Sequence, residues 1–342
     1  MNTQLAKKIL IVAPAWVGDL LMMHSLLQSL KQQHPKSILH TIVSPVLAAL
    51  TEYMPEVSKT IKFSCAHGEL GLQKRYHLGK KLKKENYDQA IILPNSFKSA
   101  LIPFFAKIPI RTGWKGECRY GLLNDLRPLD PNKYPLMVQR FVALGLPKGA
   151  RLPKIIWPNF ATNPIQAAEC AKRFNIDIKQ PIVALCPGAA YGISKQWPAA
   201  YFKRVVLALE KKNFQLLILG SKNDQAIAND IMPSPHGFNL AGKTTLSDAV
   251  NLLSYASVVV SHDSGLMHIA AALKRPLVAI YGSSTPAFTP PLAKRVKILE
   301  KQLNCRPCFK RVCPLTDPVK HMACLKRIQP QAVLNAIEEL SQ

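Results

Sequence analysis

Aromatic residues make up only 7% of this sequence, and acidic residues are outnumbered, with 20 Asp and Glu facing 45 Lys and Arg. There is no low-complexity tract, and no uncharged apolar run reaches the ~18 residues that a membrane-spanning helix needs. Each shortage excludes something. So few aromatics leave no array on which nucleobases could stack, and no recognition-helix pattern accompanies the basic charge, so nucleic acid is not an expected partner. The lack of acids leaves a formal net charge of +25, a field that attracts polyanions such as an anionic membrane surface or a phosphorylated glycolipid.

The N-terminus imitates a secretory signal, with Lys7 and Lys8, an apolar run and then Ala13-Pro14-Ala15. Cleavage there would leave about six apolar residues, short of the usual ~7–15, and would destroy a good strand–turn–helix pattern. The expectation is a cytoplasmic chain. Hydrophobic residues at 48% and charged ones at 19% describe a globular protein, and 342 residues favour two domains of roughly 150 each.

From Ile9 onward, short apolar runs alternate with helical patterns. ILIVA is followed by a helix with Leu20, Met23, Leu27 and Leu30 on one face, then by ILHTIV at 38–43. Farther on, the basic segment LQKRYHLGKKLKKENY leads into the strand DQAIILP. The Pro-rich stretch 147–164 interrupts this grammar, and IVALCPG at 182–188 restarts it. Helices at 198–212, 224–231, 246–256 and 265–273 then alternate with the strands FQLLILG, SVVVSH and PLVAIYG. The pattern predicts an α/β fold of two doubly wound, Rossmann-like domains with a cleft between them, over 1–160 and 161–328, and a C-terminal helix at 329–342. In such sheets ligands sit beyond the carboxyl ends of the strands, so the strand-to-helix loops should carry function.

GFNLAGKT, residues 237–244, matches the Walker A spacing, and VVVSHD imitates a Walker B strand. A P-loop requires a strand ending at the first glycine, yet IMPSPH precedes it. The better expectation is a short strand, a loop, and a helix capped by Thr245 with Asp248 three residues on.

Of the eight cysteines, Cys65, Cys118, Cys170 and Cys186 are scattered, whereas Cys305-x2-Cys308-x4-Cys313-x10-Cys324 forms a cluster with His321 nearby. The expected compartment argues against a disulfide framework. The spacing suits zinc or an iron–sulfur centre, which would be structural, because four thiolates leave no open coordination position.

Four stretches, APAWVGDLLM at 13–22, PGAAYGISKQWP at 187–198, LAGKTTLSDAVNLLSYA at 240–256 and SHDSGLMHIAAAL at 261–273, together resemble the ADP-heptose:lipopolysaccharide heptosyltransferases, which are inverting glycosyltransferases of the GT-B fold. The stretch at 95–125 and the tail CRPCFKRVCP at 305–314 resemble the branch that adds the second heptose of the inner core. The resemblance implies transfer of L-glycero-D-manno-heptose from ADP-L-glycero-β-D-manno-heptose to the first inner-core heptose. It implies no required cofactor or catalytic metal, which lowers the case for a metal at the tail cysteines. A monomer is expected, resting by charge on the cytoplasmic face of the inner membrane.

The resemblance makes Asp19 the base that takes the acceptor hydroxyl proton, with Gly18 allowing a tight turn and room for sugars. It makes Lys195 a ligand of the donor phosphates. Asp263, Ser264, Gly265 and Leu266 stand at a helix N-terminus suited to phosphate, Asp224 is a candidate for the ribose hydroxyls, and His268 follows one turn into its helix. Lys98, Arg111 and Arg119, from the acceptor-side domain, are candidate ligands for acceptor carboxylates and phosphates.

Overall fold

The structure, a computed structural model, describes residues 6–66, 68–212, 214–232 and 237–342. It contains two compact units, Met1–Pro158 and Asn159–Gln342, each built on one parallel six-stranded sheet. In the first unit the strands are β1 (Lys8–Val12), β2 (Ile38–Val43), β3 (Val57–Lys62), β4 (Gln89–Ile92), β5 (Ile110–Trp114) and β6 (Asp125–Arg127), in the order β3-β2-β1-β4-β5-β6. The second has β7 (Ile182–Cys186), β8 (Gln215–Ile218), β9 (Gly237–Asn239), β10 (Ala256–His262), β11 (Leu277–Ile280) and β12 (Val296–Leu299), in the order β12-β11-β10-β7-β8-β9. Numbered within its own unit, the second order is the same as the first. The direction of winding reverses between β1 and β4 in one unit and between β7 and β10 in the other, and these are the points where doubly wound sheets bind ligands.

The central strands are continuous apolar runs because helices cover both faces of a parallel sheet. All five residues of β7 are buried, as are Ile9 to Val12 of β1. The helix Val17–Gln33 is buried well beyond the single face its periodicity predicts. Leu21, Met22 and Leu26 are inside as well as Leu20, Met23, Leu27 and Leu30, and the helix packs along the helix Met137–Leu144. Each such side chain contributes roughly 2 kcal/mol of burial.

The C-terminal helix Pro330–Ser341 is part of the second unit's core. Val333, Ala336, Ile337 and Leu340 pack with Val258, Val278, Ile280 and Phe202. The helix expected at 246–256 stops at Leu253, because Ala256 already pairs with Ile182 as the first residue of β10. β9 begins at Gly237 and pairs with β8, so no strand ends at the first glycine of GFNLAGKT, which rules out a P-loop geometry there. The next helix, Leu246–Leu253, is capped by Thr245, whose Oγ1 accepts from Asp248 N at 3.1 Å while Asp248 accepts from Thr245 N at 2.9 Å.

Candidate functional site

In the first unit β1 ends at Val12, the chain turns through residues 13–16, and the helix starts at Val17 with Trp16 in the cap position. Gly18 and Asp19 are therefore already helical. The sharp turn expected of Gly18 falls on the residues before it, and what Gly18 supplies is a helix mouth without a side chain. Asp19 is half-buried at the third helical position, where the helix dipole favours a carboxylate.

The other side of this switch point is the loop after β4. Lys98 lies on the short turn Phe97–Ala100, its Nζ donating to Glu69 O at 3.3 Å. Arg119 is only 1% exposed and lies against the same loop, with Nη1 donating to Pro94 O at 2.7 Å and Nη2 to Asn95 Oδ1 at 3.2 Å and to Trp114 O. Burial lowers its pKa from the ordinary arginine value. Its guanidinium is thus engaged by the scaffold, against the expectation of an acceptor ligand. Arg111 also departs from that expectation. It pairs with Ala90 near the start of β5, the end of the sheet away from the switch point, and donates to Leu122 O and Ile108 O, both at 2.6 Å.

In the second unit the loops after β7 and β10 meet. Lys195, on the turn Ile193–Lys195, places its Nζ 2.5 Å from Asp263 Oδ2, and both side chains are largely buried. The ammonium also lies 4.8 Å from the centre of the Tyr191 ring. Asp263 Oδ1 is 3.9 Å from His268 Nε2, and burial lowers the His268 pKa from its usual value. His262 is fully buried and accepts from Trp197 N at 2.7 Å, a bond only the neutral ring makes; burial takes its pKa down to about 3. Trp197 in turn donates from Nε1 to Ile328 O at 2.9 Å, which fastens the far end of the Lys195 loop.

Ser264 is the cap residue of the helix Gly265–Ala272, yet its side chain makes no cap bond and lies instead 3.1 Å from Ser261 Oγ. The first amides of that helix, including those of Gly265 and Leu266, thus have no side-chain acceptor from the cap, which suits them to an anionic ligand. Asp224, after β8, sits against Gly188 and Gly220. A Cβ on Gly188 would come within 2.4 Å of its carboxylate, so the glycine is required by the close approach. Oδ2 of Asp224 accepts from Ser221 N at 2.8 Å and Ser221 Oγ at 2.7 Å, so half of that carboxylate shapes its own turn.

The switch point of the second unit therefore gathers Lys195, Asp263, Ser264, Gly265, Leu266 and His268, with Asp224 on the neighbouring strand end. Sequence reasoning missed Tyr191 and His262. Tyr191 stands four residues before Lys195, and His262 directly precedes the Asp263 it helps to place, so proximity to an assigned residue was the available signal. The tail cysteines Cys305, Cys308, Cys313 and Cys324 are free thiols lining a common void.

Two doubly wound units with these loops at their switch points define a GT-B type α/β fold, and comparison with known proteins agrees. The profile of glycosyltransferase family 9 (heptosyltransferase) matches residues 75–318. The chain is 46% identical over 309 residues to lipooligosaccharide heptosyltransferase 2 of Haemophilus ducreyi, covering 85% of this chain and 88% of the relative. It is 42% identical over 304 residues to lipopolysaccharide heptosyltransferase 2 of Salmonella typhimurium, covering 85% and 87%. The solved structure of Escherichia coli ADP-heptose LPS heptosyltransferase II superposes with a TM-score of 0.87 at 38% identity, covering 98% of each chain. The chain belongs to glycosyltransferase family 9, the heptosyltransferases.

Proposed function

We propose that this enzyme transfers L-glycero-D-manno-heptose from ADP-L-glycero-β-D-manno-heptose to the first heptose of the lipopolysaccharide inner core, as the names of its relatives suggest. The observation that carries the donor side is the Lys195 ammonium, held 2.5 Å from Asp263 beside a helix start whose cap residue makes no side-chain bond. Lys195 has three N–H donors, and with one directed at Asp263 the others are free to turn toward a diphosphate. The amides of Gly265 and Leu266 add a fixed positive potential. Asp263 orients the lysine, His268 backs Asp263, and the Asp224 oxygen not bonded to Ser221 accepts from ribose.

On the acceptor side, the Asp19 carboxylate takes the proton of the acceptor hydroxyl as that oxygen bonds to the anomeric carbon. The bond from the anomeric carbon to the β-phosphate oxygen breaks, and ADP leaves with the electron pair. One displacement inverts the anomeric centre. The charge developing on ADP is met by Lys195 and the helix amides, so the step requires no catalytic metal. Lys98 contacts acceptor phosphate or carboxylate, and Gly18 keeps the helix mouth open to sugar. Arg119 acts by holding the 94–95 loop, and Arg111 supports β5.

Among the described residues no helix is long and apolar enough to cross a membrane. Contact with the inner-membrane surface is assigned to the helix Leu72–Lys83 and its cap, where Lys80, Lys81, Lys83 and Lys84 are exposed together with Leu72 and Tyr76. Arg75 is not part of that surface, being buried with its guanidinium over the Phe63 ring. Each lysine that reaches an anionic surface adds about 1 kcal/mol. The enzyme is taken to act as a monomer.

The test is turnover of ADP-heptose by the purified protein on inner-core acceptors carrying no heptose or one heptose, with and without chelator. Transfer to the one-heptose acceptor alone, unchanged by chelator, is the expected result. Transfer to the heptose-free acceptor would overturn the acceptor assignment, and loss of activity with chelator would overturn the metal-free step.

A further inference from the structure

The tail cysteines are not used by this chemistry, yet the fold brings them together. Cys305, Cys308, Cys313 and Cys324 all border one void of about 30 Å³, walled also by Ser194 and Met322. The other three thiols lie within electrostatic range of Cys324. Phe309, directly after the Cys-x2-Cys pair, adopts φ +49°, a left-handed main-chain conformation at the edge of the cluster. Met322 N donates to Cys313 Sγ at 3.4 Å, the kind of main-chain support that thiolate ligands receive. Arg306 and Lys320 also border the void, and their charges suit a centre of four thiolates, which carries net negative charge around a divalent ion.

The segment between the cysteines forms one wall of the Lys195 loop. Tyr191 Oη donates to Phe309 O at 2.5 Å, Ser194 N donates to Arg311 O at 3.2 Å, and Ser194 Oγ donates to Lys310 O. Gly192, at φ +157°, lies so close that a Cβ there would come 2.4 Å from Arg311 O. Whatever fixes residues 309–311 therefore fixes residues 191–194.

We infer that Cys305, Cys308, Cys313 and Cys324 bind one thiophilic metal ion, zinc or iron, as a structural site that fastens the 305–314 segment onto the Lys195 loop. Among the described residues no group of three or more His, Cys, Asp or Glu side chains already stands in metal-ligating position, so the ion itself draws the four sulfurs inward across the void. With all four positions filled by sulfur, the ion has none for substrate.

The test uses the full chain, purified anaerobically and dialysed against a weak chelator. Elemental analysis should find about one zinc or iron per chain, with visible thiolate-to-metal absorption in the case of iron. Cys308→Ser and Cys313→Ser should lose it, and Cys118→Ser, an exposed thiol outside the cluster, should keep it. Releasing the ion from the wild-type protein with a mercurial should raise amide exchange in 191–197 by about tenfold or more, while 17–30 stays unchanged. That arm also serves where a serine variant fails to fold. Metal-free protein that refuses added Zn²⁺ or Fe²⁺, with its four thiols freely titratable or joined as disulfides, would overturn the site. Bound metal whose release leaves 191–197 unchanged would overturn the fastening role. None of these readouts depends on turnover, so they stand or fall apart from the proposed function.

Discussion

The two units share a strand order but build their switch-point loops by different means. In the first, Asp19 belongs to a strand–turn–helix unit: β1 ends at Val12, the chain turns, and a well-buried helix carries the carboxylate on its first turn. In the second, Lys195 is placed by residues far away in sequence, Asp263 at a separation of 68 residues, and its loop is fixed by His262 and by Lys310. The difference fits the two roles proposed for these residues. A base meets a neutral hydroxyl that must enter and leave, whereas a cation that stabilises departing ADP is effective only if already oriented when the charge appears.

Asp19→Asn tests the local half of this contrast and should have the largest effect. Turnover should fall by about 10²–10⁴-fold, the usual contribution of a general base, with ADP affinity nearly unchanged by calorimetry. Near-normal turnover would remove Asp19 from the chemistry. The long-range half is tested by a pair of variants. Lys195→Met should weaken ADP binding by roughly 10–100-fold and also destabilise the fold, since it leaves the largely buried Asp263 without its partner. Adding Asp263→Asn should restore much of the lost stability and none of the ADP affinity. Recovery of both would mean that Lys195 serves only the scaffold.

That same contrast explains what was legible in the sequence. The apolar runs of β1, β4, β7, β8, β10 and β11 and the place of Asp19 at a strand-to-helix junction depend on local pattern, and periodicity exposes local pattern. The capping box at Thr245 and Asp248 is similarly local. Arg119 shows the limit: its residue type suggests a phosphate ligand, but its bonds run to Pro94, Asn95 and Trp114, and nothing in its neighbourhood of sequence announces burial. Arg75, in a lysine-rich helix, turns inward over Phe63, and its neighbours in sequence announce that no better. His262 acts through Trp197, a contact that exists only once β7 and β10 lie side by side, and Tyr191 through Phe309, 118 residues away in sequence.

Acid titration sharpens the comparison between the units. His262 is buried and neutral, with its pKa taken down to about 3 by burial, while the unfolded ring titrates near 6.5. Below 6.5 the unfolded chain binds the extra proton first, so this residue's contribution to stability is intact above pH 6.5 and declines as pH falls toward 3. His262→Gln should flatten that part of the stability profile when denaturant unfolding is followed by tryptophan fluorescence. A mutant curve parallel to the wild type between pH 6.5 and 3 would show that the buried ring is not what couples this unit to acid.

The smallest expected effect belongs to the first unit. Glu85 accepts from Lys8 Nζ at 2.6 Å and Lys59 Nζ at 2.8 Å, and these bonds take its pKa down from 4.5 to about 2. The depressed value places its contribution above pH 4.5, with loss as pH falls from 4.5 toward 2, a window lower than that of His262. Lys59 is half exposed, so solvent screens much of this interaction, and Glu85→Gln should cost only about 0.5–1 kcal/mol at neutral pH. The mutant and wild-type curves should converge near pH 2, and high salt should narrow the gap at neutral pH. A salt-independent loss well above that range would mean that Glu85 is held for packing between β1 and β3 and not for its charge.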